Sequence, residues 1–175
     1  MTHHDILPIA ALCLAVLATG CGGSDSPTEP TPQPTPAART TLSISGAYIE
    51  VVDDCDGIEG DGDFVFWVEY SPNGVSDVVF DQTINLPPGG KSRSITRWSH
   101  AFDPAGDPFM YVTFRATELD KSITGTEYAD ARLDGAIGSH RYRYVDGAWT
   151  STGPRAITLG VPGCLVRLHW SAETS

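Results

Sequence analysis

Phe64-Val65-Phe66-Trp67-Val68-Glu69-Tyr70-Ser71-Pro72-Asn73-Gly74 is the run whose reading decides the fold. Phe64, Phe66, Val68 and Tyr70 fall on every second position, a period that gathers them on one face of a strand and that no helix face repeats. Ser71 to Gly74 is turn chemistry, and Val75 to Leu86 resumes an extended pattern, so an antiparallel hairpin is predicted here. Outward from this hairpin the same grammar recurs. Strands are predicted at Thr41 to Val52, Phe64 to Tyr70, Val75 to Leu86, Ser92 to Ser99, Phe109 to Glu118, His140 to Val145, Arg155 to Leu159 and Cys164 to Ser171. Pro87-Pro88-Gly89-Gly90, Asp103 to Pro108, Asp146-Gly147 and Val161-Pro162-Gly163 separate them with further turn signals. The expectation is an all-β fold, an eight-stranded antiparallel β-sandwich.

Phase assigns the inward residues. Met110, Val112, Phe114 and Ala116 share a face, as do Cys164, Val166, Leu168 and Trp170. Trp67 is also assigned to the core. At Gly46 the apolar phase moves from Leu42 and Ile44 to Ala47, Ile49 and Val51, a shift that a β-bulge accommodates. One short helix is expected around Glu127 to Leu133, where Thr124 and Glu127 have capping-box spacing.

The sequence before the domain reads differently. Ile6 to Leu17 is apolar apart from Pro8 and too short to span a bilayer as a helix, which suits the hydrophobic stretch of a signal peptide. Leu17-Ala18-Thr19-Gly20-Cys21 resembles the lipobox of bacterial lipoproteins. The resemblance implies a diacylglycerol on the Cys21 sulfur, cleavage before Cys21 and acylation, commonly palmitate, of its new amino group. Two or more chains anchor stably where one does not. The leader Met1 to Asp5 departs from the pattern in having no Lys or Arg. The implied address is the cell envelope, and the outer membrane if the organism has two, since Gly22 rather than aspartate follows the cysteine. Gly22 to Thr41 is a Pro/Thr-rich linker, expected to be disordered, that cannot form a core. Extended at about 3.1 Å per residue, it holds the domain up to roughly 60 Å from the lipid. The expected organisation is therefore signal peptide 1–20, lipidated cysteine and tether 21–41, and domain 42–175.

The chain has 22 acidic residues against 11 Lys and Arg, a formal charge of −11, and loss of the leader removes only Asp5. That surplus disfavours nucleic acid, whose phosphates need a basic face. It fits cations or basic partners. Of four cysteines, Cys13 lies in the leader and Cys21 at the cut, so Cys55 and Cys164 remain as a pair. In an oxidising compartment they are expected to form a disulfide.

Acids concentrate in Glu50 to Asp63, where Asp53, Asp54, Asp56, Asp61 and Asp63 stand without one base, and again at Glu118, Asp120 and Asp130. Crowded carboxylates repel unless a hard cation taking six to eight oxygens converts repulsion into coordination, so these eight residues are the candidate ligands for Ca2+. Asp54-Cys55-Asp56-Gly57 is not an EF-hand, because Ile58 and Val65 stand where that loop needs oxygen ligands. Two acidic segments at strand ends resemble the calcium-dependent, membrane-binding β-sandwiches of the synaptotagmin type. The resemblance implies Asp53 and Asp56 as first-loop ligands and Glu118, Asp120 and Asp130 as later ones, with Glu118 replacing an aspartate of the family pattern. The alternative is that the acids are solvated hairpin tips that keep the protein soluble.

Other signals point elsewhere. Trp98 and Trp149, near turns, are candidate ligand-binding platforms for a glycan. Lys91, Arg93, Arg97, Arg141 and Arg143 make either a basic sheet face or solvent positions that balance the acids. His100, His140 and His169 lack metal-ligand spacing, and no nucleophile elbow or phosphate loop is present. The reading is a non-enzymatic, lipid-anchored β-sandwich with a calcium-stabilised loop and an unidentified extracellular or periplasmic protein or glycan partner. An adhesion module without metal and a hydrolase with a hidden triad are the alternatives.

Overall fold

The computed structural model describes residues 39–55, 61–103, 109–121, 124–150 and 152–175. Cys21, most of the tether and Asp56 lie outside them. Among the described residues ten strands, where eight were expected, form two antiparallel sheets: β1 (Thr40–Asp54), β2 (Gly62–Pro72), β3 (Asp77–Leu86), β4 (Trp98–Phe102), β5 (Phe109–Lys121), β6 (Glu127–Ala129), β7 (Ala136–Val145), β8 (Ala148–Trp149), β9 (Gly153–Val161) and β10 (Cys164–Thr174). One sheet has the order β4-β1-β10-β9. The other runs β3-β2-β5-β7-β8, with β6 added beside β5.

The predicted alternation decides which faces meet. Phe64, Phe66, Val68 and Tyr70 of β2, Met110, Val112, Phe114 and Ala116 of β5 and Cys164, Val166, Leu168 and Trp170 of β10 all turn inward and share one core with Leu42, Ile44, Ile49 and Val51. Period-two side chains can bury only one face of a sheet, so two sheets stacking their apolar faces is the economical solution. The expected bulge sits at Gly46, where the β1–β10 register slips between Ser45 and Tyr48 and the backbone takes φ +60°. That left-handed conformation carries little cost at glycine.

Four further expectations change. The strand predicted over Ser92 to Ser99 forms only from Trp98. Residues before it run beside β1 by isolated bonds, and Ser92 Oγ accepts the Ile49 N–H at 2.9 Å, a side-chain acceptor taking a ladder carbonyl's place. The helix expected at Glu127 to Leu133 is absent. Glu127, Tyr128 and Ala129 pair instead with Lys121, Asp120 and Leu119, so the sheet partner wins over local capping chemistry. Trp67 is half-buried on the outer face, as the phase of its neighbours requires, and is not core. Trp149 reverses in the other sense, as the hairpin pairing of β8 with β7 folds it back until it is 5% exposed against Phe102.

Candidate functional site

β5 carries the site. Its inward positions read Met110, Val112, Phe114 and Ala116, and the next is Glu118, fully buried where the pattern would continue an apolar run. Asp120, two residues on, points the same way. After β6 the chain returns, and the Asp130 N–H bonds the Glu118 carbonyl at 2.9 Å, which brings the 8% exposed Asp130 carboxylate to the same place. One oxygen from each of Glu118, Asp120 and Asp130 lies within 4.8 Å of the others.

Arg132 is the counter-charge. Its Nε donates to Asp130 Oδ1 and Oδ2 at 3.0 and 2.9 Å, its Nη2 donates to Oδ2, and its backbone N–H reaches Oδ1 at 2.7 Å. These bonds hold the Asp130 carboxyl below the usual aspartate range, and the same contact raises the guanidinium. Nη2 also donates to the Cys55 carbonyl at 2.6 Å. Arg132 therefore joins the acidic cluster to the end of β1. Its only sequence signal is that it is the sole base between Ser122 and Gly138, inside an acidic run.

Cys55 and Cys164 form the expected disulfide, joining residues 109 positions apart. Cys55 holds φ +73°, a left-handed conformation costly for a residue with a Cβ, at the point where its carbonyl meets Arg132 and its sulfur meets Cys164. Beside it Gly160 has φ +98°, and a Cβ there would stand 2.1 Å from the Cys164 carbonyl, so only glycine closes this hairpin.

Asp53, Asp61 and Asp63 are not part of this group among the described residues. Asp53 Oδ2 accepts the Gly163 N–H at 3.2 Å and so ties β1 to the β9–β10 turn. Asp63 Oδ1 accepts from Asn85 Nδ2 at 2.8 Å, and the exposed Asp61 offers its carbonyl to the same amide. Asp54 pairs with Cys164 along β1 and β10. Trp98 stands on the far side of the core, half-buried, with its Nε1 donating to Asp77 at 2.7 Å.

An all-oxygen set of carboxylates suits calcium or magnesium rather than zinc or copper. Three carboxylates against one guanidinium leave two formal negative charges, the complement of a divalent ion. No family model matches the chain. No curated protein matches it either. Among solved structures, one described as the structure of a C2 domain aligns over 78% of this chain and 98% of that one, with 11% identity and a TM-score of 0.37.

Proposed function

We propose that this is a lipid-anchored cell-envelope protein whose β-sandwich is a non-catalytic binding module, with a calcium ion seated at Glu118, Asp120 and Asp130. The observation that supports it is the convergence of three carboxylates from β5 and the β6 turn within 4.8 Å, one of them fully buried. A buried carboxylate needs compensation, and Arg132 serves Asp130 first. Glu118 and Asp120 provide the remaining charge for a cation, whose further oxygens come from carbonyls and water. The disulfide at Cys55 and the Arg132 bridge hold β1 beside these ligands, so little ordering is left for the ion to impose.

The test is the melting temperature of the purified protein in millimolar calcium and in chelator. A ligand that binds only the folded state at 100 times its dissociation constant stabilises by about 2.7 kcal/mol. An upward shift of several degrees is expected, abolished in Glu118→Gln/Asp120→Asn. Equal melting points in calcium and chelator would remove the calcium reading. The anchor is tested separately by intact mass of membrane-extracted protein. A chain starting at Cys21 with added diacylglycerol is expected, and one starting at Met1 without lipid overturns it.

A further inference from the structure

One side of the sandwich is closed where β7 of the larger sheet meets β9, the edge strand of the smaller. At Gly138 the closure is tight and apolar, since a Cβ there would stand 2.6 Å from Ile157 Cγ2 and 3.1 Å from Leu159 Cδ2. Two residues on it becomes polar. His140 and Tyr142 share the inward phase of β7. Arg155 of β9 lies opposite Trp170 of β10 and hydrogen-bonds the Tyr142 hydroxyl, which also accepts from Trp170 Nε1 at 2.8 Å.

His140 is the exception in this polar stretch. Its ring stands edge-on to Tyr142 and Trp170, with centroids 4.8 and 5.8 Å apart, and its Nε2 is buried with no hydrogen-bond partner among the described residues. The elements around it bring no carboxylate to answer a positive charge. Val112 of β5 pairs with it, Tyr70 of β2 pairs with Val112, and the phenols of Tyr70 and Tyr142 are kept neutral by burial, which raises both. β10 contributes Trp170, and β9 contributes Arg155, a like charge. Burial first and Arg155 second hold the imidazole below its ordinary range. A neutral ring tolerates this cage, whereas an imidazolium carries two N–H donors, one of them at Nε2.

We infer that the β7–β9 seam is an acid-opened joint: a proton taken up by His140 finds no acceptor and a like charge at Arg155, so β9 parts from β7 and water reaches Trp170 and Tyr142. The topology permits the motion. β9 is bonded within its sheet to β10 alone, so parting from β7 breaks no ladder between strands. His140's contribution to closure is complete above its ordinary value of 6.5 and is lost as pH falls from there through the lower value of the closed state. If the open state restores the ordinary value, opening is favoured up to about tenfold more at about pH 5.5 than at about pH 7.5. The joint does not depend on an ion at Glu118, Asp120 and Asp130.

The test is nuclear magnetic resonance of the purified protein carrying isotope-labelled tryptophan, whose four indole N–H groups are read separately. Hydrogen-exchange protection of the Trp170 indole, corrected for the intrinsic rate, is expected to fall about tenfold over that pH range, and the His140 ring to titrate below its ordinary value. His140→Gln, which has no proton to gain, should keep its protection throughout. His169→Gln, which removes an imidazole on the outer face of the smaller sheet, should lose protection as the parent does. A His140 ring that titrates at or above the ordinary value overturns the inference. So does a Trp170 indole that loses no more protection than that of Trp149, or a glutamine variant at His140 that opens as readily as the parent. If that variant does not fold, the ring titration and the Trp170 exchange of the parent decide.

Discussion

The two ends of the sandwich are closed by different chemistry. At the end where β1 finishes and β10 begins, closure is covalent and ionic: the Cys55–Cys164 bond, the Arg132 fork on Asp130 and the buried Glu118. At the other end closure is aromatic. Rings run in an unbroken chain from Tyr70 through Trp98, His100, Phe102 and Trp149 to Tyr144, with centroid separations between 4.3 and 5.9 Å. Here polar groups give way to packing, since the Tyr70 hydroxyl and Trp149 Nε1 are buried with no hydrogen-bond partner among the described residues. Burial drives the Tyr70 hydroxyl well above the ordinary tyrosine range. The difference teaches that one end is held by ring packing around buried polar atoms, whereas the other is held by a covalent bond and by the fork of Arg132 on Asp130.

The largest test of this contrast is removal of the covalent tie. Cys55→Ser/Cys164→Ser frees a loop of 109 residues and should cost about 4 to 5 kcal/mol in the chain-entropy account, read as a lower denaturant midpoint. A loss below about 1 kcal/mol would show that the ionic contacts suffice. At the aromatic end, Tyr70→Phe removes an unpaired buried hydroxyl and leaves the ring. It should be neutral or stabilising by up to about 1 kcal/mol, because the desolvation cost disappears with the oxygen. A clear loss in chemical denaturation would reveal a partner for the hydroxyl and erase the contrast.

The smallest effect concerns acid. Asp130 has its folded pKa lowered by Arg132, so its contribution is complete above the unfolded value of about 3.9 and is lost as pH falls through the lower folded value. Arg132→Ala should flatten the loss of stability on acidification through that window, measured by urea unfolding. A slope identical to the parent's would mean that Asp130 is held by something other than the guanidinium.

Much of this architecture was legible beforehand. The strict alternation of β2, β5 and β10 announced two stacked sheets, and the phase change at Gly46 announced its bulge. The cysteine pair followed from counting. Three of the acids proposed as ligands meet because Glu118 and Asp120 share a strand phase and Asp130 follows a short return strand. What misled was local: Trp149 beside a turn suggested exposure, and Thr124 with Glu127 suggested a helix. In both cases a pairing with a neighbouring strand decided the outcome, and such pairings leave no trace in a window of a few residues.

Periodicity, turn residues and charge count determined by themselves that this chain builds a β-sandwich with an acidic surplus, because side-chain direction in a strand follows from position alone. Which acids converge, which base answers them and which side chains surround His140 were decided only by the tertiary structure. Those meetings join residues far apart in the chain, and their distances depend on strand register and sheet order, quantities that exist only once the sheets have formed.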